Sequence, residues 1–535
     1  MERWWFRSIA AAFGITTICC FWIVGPLVSP FHDAIYHWNG PASTIFIPSF
    51  LDFICVWVIF GCLLLASQAI KKGSAKIWTG IMFWLPWAAL KSLSLLMNWN
   101  VAPWISLGVL GICIIVYLLF TLLFKPMHQA GFERLQRLTT SFFCLVGVYG
   151  ALIMVQLMWF GWEARGFNGP LPLHRAKTSH LEMKGDHPRL IWIVLDELSY
   201  QQVFGHRFQN LSLPAFDQLA KQSTVFTHVV PAGIATEIIM PSLMAGVPVD
   251  QIRPSSTGRT LLIHNMSTHR WQTFDPHDTV FSDALSATYT TAIAGWYNPY
   301  CRILPEVLDR CFWTVDMPSQ NKMLPQSSFL ENMFNPVLLS SSIINRIPSA
   351  IIHGNRPDNL ISKLHIASYQ KISDESDRLI RDSSVDFILI HMSIPHPGGI
   401  YNQATHSFAS QHSSYIDNLA LADLYLSHVR SLLDSMGQWD SSAVVVMGDH
   451  SWRTKLLWAN SPDWTPDEQL ASDGGQFDDR PAYIVKLPKQ TKGNAIVLPF
   501  DAVHTRILLD YIMQKRILSP EDLSAWVSSL TDRKQ

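Results

Sequence analysis

Two apolar runs in this chain end in groups that bind cations. Leu190–Leu195 runs straight into Asp196 and Glu197, and Ala443–Met447 runs through Gly448 into Asp449 and His450. Carboxylate oxygens and an imidazole nitrogen are donors that hard or borderline divalent ions accept, so the two ends together outline a metal site. Between them, Gly233 is followed closely by Thr236 and then by an apolar stretch to Gly246 that contains Pro241. That pattern reads as a loop entering a helix, where backbone N–H groups and the dipole favour an anion. Beside a metal the Thr236 hydroxyl would be an activated nucleophile; by itself it also reads as an N-cap. His396, in Ile394-Pro-His-Pro, and Arg453, three residues beyond His450, complete the set. The histidine could face a substrate or be held by a backbone carbonyl. The arginine could grip a phosphate bidentately or pair with a carboxylate at the surface. His391 lies inside an apolar run and reads as structural, and Arg480 as a determinant of fold.

The elements that would position these residues are strands alternating with helices. Each acidic end closes an Ile/Val-rich run that fits a buried parallel strand, and ligands gather at the carboxyl ends of such strands. Further strands are expected at Tyr289–Ala294, Phe387–His391 and Ala482–Leu487, with amphipathic helices at Pro214–Gln222 and Ser414–Met436. Residues 189–535 should therefore form an α/β domain on a largely parallel central sheet.

The first third of the chain has another character. Hydrophobic residues make up 49% of the chain, more than a soluble enzyme carries, which places part of it in a membrane. Apolar segments at 9–29, 44–69, 78–97, 101–124 and 139–160 each approach the ~20 residues a helix needs to cross a bilayer. The first is followed by further spans and is not a cleavable signal peptide. Arg3 and Arg7, then Lys71, Lys72 and Lys76, then Lys125, Arg134 and Arg137 occupy alternate loops, while 30–43 and 98–103 contain no Lys or Arg. By the positive-inside rule the N-terminus is cytoplasmic, and an odd number of spans exports everything after Phe160. The expected organisation is a five-span transmembrane domain at 1–162, a linker near the membrane surface at 163–188, and an exported domain at 189–535. Asp52 and Lys91, inside the spans, read as interfacial or snorkelling and are kept out of the site. Cys301 and Cys311 stand in the exported part and are expected to pair, whereas the other cysteines fall in apolar segments as small hydrophobes. A net charge of -1 gives no footing for a nucleic-acid partner.

The order of these pieces resembles the alkaline phosphatase/sulfatase superfamily: a strand ending Asp-Glu, a threonine with a proline five residues on, a strand leading to Pro-His-Pro, and a late strand ending Gly-Asp-His. Within it the chain is similar to the membrane-anchored branch that includes phosphoethanolamine transferases and lipoteichoic acid synthase. The resemblance implies that Glu197, with Asp196, and Asp449 and His450 hold one divalent metal ion. Zinc is preferred, with manganese or calcium as alternatives. It implies that Thr236 is both metal contact and catalytic nucleophile, and that His396, with Arg453, contacts the transferred group. The implied reaction moves a phosphoryl-linked head group from a membrane phospholipid to an envelope glycan or glycolipid through a phospho-threonine intermediate. The implied location is the bacterial inner membrane, with the catalytic domain periplasmic or extracellular. Three departures qualify it. Where sulfatases carry Cys-x-Pro-x-Arg, this chain has Ile239 and Leu243 around Pro241. No Asp-x-x-x-His pair leads into Ala443, which favours a single metal. After His450 the next histidine is His504, so the head group is open. Two rivals stand beside this reading: a sulfatase-family hydrolase or phosphodiesterase, and a non-catalytic, lipid-binding membrane regulator that keeps the fold. Oligomeric state is not legible.

Overall fold

The computed structural model describes residues 4–29, 33–69, 74–96, 129–166, 173–174, 187–315, 327–340, 357–409, 413–461 and 463–532, with isolated positions between 108 and 115 and between 317 and 325. The chain forms two compact units: Met1–Gly169 together with Pro318–His353, and Pro170–Met317 together with Gly354–Gln535. The linker expected at 163–188 lies largely outside the described residues.

The first unit is helical: α1 Trp4–Val28, α2 Ser43–Ala69, α3 Ser74–Leu96 and α4 Gln129–Glu163. Its polarity is that of a membrane bundle. Val58, Ile59, Leu63, Leu145, Leu152 and Val155 are exposed, whereas small residues line the packed side. A Cβ on Gly147 would stand 2.9 Å from the Ala10 carbonyl oxygen, so only glycine lets α4 approach α1 so closely. Among the described residues three helices are long and apolar enough to cross a membrane, within Trp4–Val28, Ser43–Ser67 and Gln136–Gly166. This differs from the five expected spans. Of the segment at 78–97, residues 78–96 are helical, but Trp78, Trp84, Trp87 and Lys91 lower its hydropathy, and most of 101–124 lies outside the described residues.

The second unit is built on a nine-stranded sheet. Its central strands are β1 Leu190–Asp196, β2 Thr291–Trp296, β3 Arg310–Thr314, β4 Phe387–Pro395 and β5 Ala443–Gly448, with β6 Tyr483–Lys486 beside β5. The order β3-β2-β4-β1-β5 is parallel throughout, and β6 joins antiparallel. The expected Ala482–Leu487 strand thus exists with the opposite direction, and β3 and a small antiparallel sheet over Val249–Thr273 are additions. All residues of β1 are buried, as an interior strand covered on both faces demands. Three helices matter for the site: α5 Thr236–Ala245, α6 Pro357–Arg381 and α7 Tyr415–Ser435. On one face of the sheet, Ile191, Ile193, Ile388, Ile390, Val444 and Val446 pack against Ile372 of α6 and Leu419 and Ala422 of α7. Because β1 lies between β4 and β5, its carboxyl end falls where the strand order reverses, the place a ligand crevice is expected.

Candidate metal centre and nucleophile

The site begins with the way β1 stops. Asp196 is the last residue of the strand, and Glu197 follows in the left-handed region with φ 64, a conformation that costs a non-glycine residue about 1–3 kcal/mol. The turn sends two adjacent, fully buried carboxylates to different partners. Glu197 is engaged by Arg453, whose Nε donates at 2.9 Å and backbone N–H at 3.1 Å while Nη2 adds a further bond. The Trp458 indole N–H also reaches it, 3.0 and 3.1 Å from its two oxygens. Tyr415 donates to the Glu197 carbonyl at 2.8 Å and accepts from Ser199 N–H at 3.3 Å, which fixes the turn. At the neighbouring strand end, a Cβ on Gly448 would lie 2.6 Å from the Leu198 carbonyl oxygen, so glycine is needed for β5 to deliver Asp449 here. The Glu197 N–H then donates to Asp449 Oδ1 at 3.0 Å.

Asp196 faces the other way, into a cluster with Thr236, Asp449 and His450. Thr236 opens α5; its N-cap is Ala235, with no side-chain cap, so the threonine hydroxyl is not spent on the helix. It donates toward Asp449 Oδ2 at 2.8 Å and lies 3.3 Å from Asp196 Oδ2 and 3.5 Å from His450 Nε2. His450 Nδ1 is 3.0 Å from the Ser451 carbonyl, which can only accept, so the proton is on Nδ1 and Nε2 presents its lone pair to the cluster. Asp196 Oδ1 is buried with no hydrogen-bond partner. One ligand atom each from Asp196, Asp449 and His450 falls within 4.8 Å of the others, and the same holds for Asp196, Glu197 and His396. Burial, then Asp449 and Glu197, push the Asp196 carboxyl well above its usual value against the pull of Arg453 and Thr236. Burial would raise Asp449 too, but the His450 and His391 imidazoles and the Glu197 and His450 N–H groups outweigh it and hold it below the carboxylate range. Two carboxylates crowded together in a dry site, one with an orphaned oxygen and both beside an imidazole lone pair, fit a divalent cation.

Around the cluster stand groups of several origins. His391, on β4, is fully buried, its Nε2 4.0 Å from Asp196 Oδ2 and its Nδ1 2.7 Å from the Tyr300 hydroxyl. Burial lowers its pKa to about 4, so it is neutral at neutral pH. The residue read from sequence as structural therefore faces the site, and Tyr300 and Asn298, whose side-chain amide donates to the Thr236 carbonyl at 3.2 Å, are supports that sequence gave no reason to name. Only the parallel register of β4 on β1, His391 opposite Val194, brings them in. His396 sits between the rings of Trp296 and Trp458, each centroid 5.2 Å away, with Nδ1 2.8 Å from the Pro397 carbonyl. Burial, then His365 and Arg453, keep its imidazole well below its ordinary value. His365 brackets the same loop, its ring nitrogens 2.7 Å from the Ser393 carbonyl and 3.2 Å from that of Gly398. Arg453 is not at the surface: it spends its guanidinium on Glu197 and, at 3.2 Å, on the Ile234 carbonyl. Arg480 pairs with Asp478 at 2.5 Å and stacks on Tyr200, away from the cluster. The carboxylate at the strand end that faces Thr236 is thus Asp196, while Glu197 is held by Arg453 and Trp458.

A family model described as Sulfatase matches residues 188–473, more than half of the chain. Among solved structures, the PsFucS1 sulfatase from Pseudoalteromonas sp. is similar over 62% of this chain and 68% of its own, at 15% identity and a TM-score of 0.41. Phosphonate monoester hydrolase of Agrobacterium radiobacter is similar over 61% and 74%, at 14% identity and TM-score 0.37. The lipoteichoic acid synthase LtaP from Listeria monocytogenes is similar over 62% and 72%, at 11% identity and TM-score 0.32. No curated protein matches the chain.

Proposed function

The chain belongs to the sulfatase family, and from that premise we propose that it is a membrane-anchored, metal-dependent enzyme. In this reading it transfers a phosphoryl-linked head group from a phospholipid to an envelope glycan or glycolipid, with Thr236 as nucleophile. The observation that carries the reading is the threonine hydroxyl at the start of α5, 2.8 Å from one buried carboxylate and 3.3 Å from a second. Thr236 cannot become the formylglycine of a true sulfatase, which is made from Cys or Ser, and Ile239 stands where that residue would be.

Asp196, Asp449 and His450 are the residues that would hold the ion, zinc before manganese or calcium, as the mixed oxygen and nitrogen donors suit it. When bound, a divalent cation supplies Lewis acidity that favours an ionised threonine and a more electrophilic phosphorus. The chain's own groups do the remainder. Asp449, held below its usual value, accepts the hydroxyl hydrogen bond and aims Oγ. The first helical turn of α5 presents backbone N–H groups to the negative charge of a phosphodiester. In the first half-reaction the Thr236 Oγ–P bond forms and the P–O bond to diacylglycerol breaks, the proton that leaves the threonine hydroxyl passing to the released alkoxide. In the second, an acceptor hydroxyl displaces Thr236, its P–O bond forming as the Thr236 Oγ–P bond breaks and its proton ending on Thr236 Oγ. His396, with its proton on Nδ1 facing Pro397, turns the Nε2 lone pair away from that carbonyl and can accept a hydrogen bond that orients the acceptor hydroxyl. Water in the acceptor's place would make the same machinery a hydrolase.

Intact-mass spectrometry tests this. Full-length protein incubated with mixed phospholipids and zinc should gain an adduct that maps to Thr236 and is absent from Thr236→Ala. An adduct on another residue, or the same mass gain in the variant, removes threonine from the mechanism. Free head-group phosphate released without an acceptor would select hydrolysis over transfer.

A further inference from the structure

The helix Phe329–Ser340 lies in sequence inside the catalytic half, yet it belongs to the helical unit. The segment leading to it packs there: Met323 is fully buried among residues of α1, α2 and α4, and Ser49 Oγ donates to its sulfur at 3.6 Å. The Asn332 side chain donates to the Thr44 carbonyl on α2 at 3.1 Å and to the Leu324 carbonyl at 2.9 Å, and accepts from Leu324 N–H at 2.9 Å. So the helix is pinned beside the first turns of α2, where that span enters the bilayer.

Its described apolar and buried polar side chains sit the reverse way from those of a helix in water. Asn332 and Pro336 are turned inward and buried, while Leu330 and Phe334, one turn apart, are 65% and 62% exposed and Phe329 is 38% exposed. A water-facing helix puts polar groups outward and buries its apolar stripe. Ile47, on the first turns of α2, is also exposed, so the outward face of the helix continues the apolar surface of a span. We infer that Phe329–Ser340 is an interfacial membrane helix, inserting Leu330 and Phe334 among acyl chains at the bilayer face where α2 begins. A lipid interface is the medium that takes apolar side chains outward and leaves the charged Glu331, capped back onto Ser328 N–H at 2.7 Å, at the headgroup level. This inference is independent of the reaction proposed above.

The test uses full-length protein in proteoliposomes that contain phosphatidylcholine with a diazirine in the acyl chain. After irradiation and proteolysis, the peptide covering 329–340 should carry lipid adducts, as the peptides of α2 and α4 do. Leu330→Asp/Phe334→Asp should lose the adducts on that peptide while labelling of α2 and α4 persists, which also reports that the bundle is folded. Labelled spans with an unlabelled 329–340 peptide in wild type would overturn the inference, whatever the variant does.

Discussion

Replacing Thr236 with alanine takes away the oxygen that the cluster is arranged around, together with the γ-methyl group. Turnover should fall by about 10³-fold or more, as loss of a nucleophile does, with Thr236→Ser retaining part of it. Asp196 offers a second test that does not depend on knowing the substrate. In metal-free protein its carboxyl lies above the ordinary value through burial and the nearby Asp449 and Glu197. A carboxyl raised on folding costs stability as pH rises past its unfolded value near ~3.9, and the cost levels off above the folded value. Metal-free protein should therefore weaken as pH rises through that window, and a bound cation should reverse the loss, by about 2.7 kcal/mol at a hundredfold excess over Kd. Asp196→Asn has no such charge to pay for, so at pH 7 it should melt above metal-free wild type and gain nothing from zinc. Melting curves with chelator and with zinc decide it; a wild-type-sized zinc shift in the variant would take Asp196 out of the ligand set. Much of this cluster was visible in sequence because acids and a histidine at strand ends are conspicuous. What was not visible depended on backbone direction. The positive φ at Glu197 decides which of two adjacent acids faces Thr236, and an inward His391 in a hydrophobic strand looks like any other core residue until β4 is laid on β1.

Among the elements, the short helix Tyr300–Ile303 links the sheet to the site, since Tyr300 holds His391 and the adjacent Cys301 is bonded to Cys311 on β3. A Cβ on Gly295 of β2 would lie 2.4 Å from Tyr300 Cε2. That ring is fully buried and has nowhere to yield. Gly295→Ala should therefore cost about 1–3 kcal/mol, the range for overpacking, and shift His391 off Asp196. A urea titration should show a lower midpoint at unchanged slope, together with weaker zinc stabilisation; an unshifted midpoint would mean that the contact relaxes freely. Separately, Cys301→Ser/Cys311→Ser should lose about 2–3 kcal/mol from opening so short a loop. The strands that carry the site were readable from unbroken Ile/Val runs. β3 was missed because Arg310-Cys-Phe-Trp-Thr is short and opens on a charge, and the direction of β6 is set by its hydrogen bonds to β5, which composition does not encode.

At the scale of the whole molecule, the chain passes between its two units after Gly169, after Met317 and after His353. Sequence composition marks the first crossing, where apolar spans give way to a polar stretch, but not the others, because a single amphipathic helix of ordinary length looks the same in a soluble core as on a membrane. The consequence is testable by truncation. A fragment of residues 189–535 keeps all of the central sheet except its Leu173–His174 edge strand and all the residues of the candidate metal cluster, but it carries Met323, Leu330 and Phe334 without α2, against which this segment is pinned by Asn332 and Ser49. Exposing a fully buried methionine costs about 1.5–3 kcal/mol, and the apolar face adds a surface that invites association. The fragment should run as a broad, early-eluting species in size-exclusion chromatography and sharpen when mild detergent is added. Replacing 318–353 with a short Gly/Ser linker should give a monodisperse fragment without detergent that still gains stability from zinc, because the residues proposed to hold the metal all come from the other unit. A monodisperse 189–535 fragment in plain buffer would mean that 318–353 folds back on the catalytic unit when left alone, and that its place among the membrane helices is not built into its sequence.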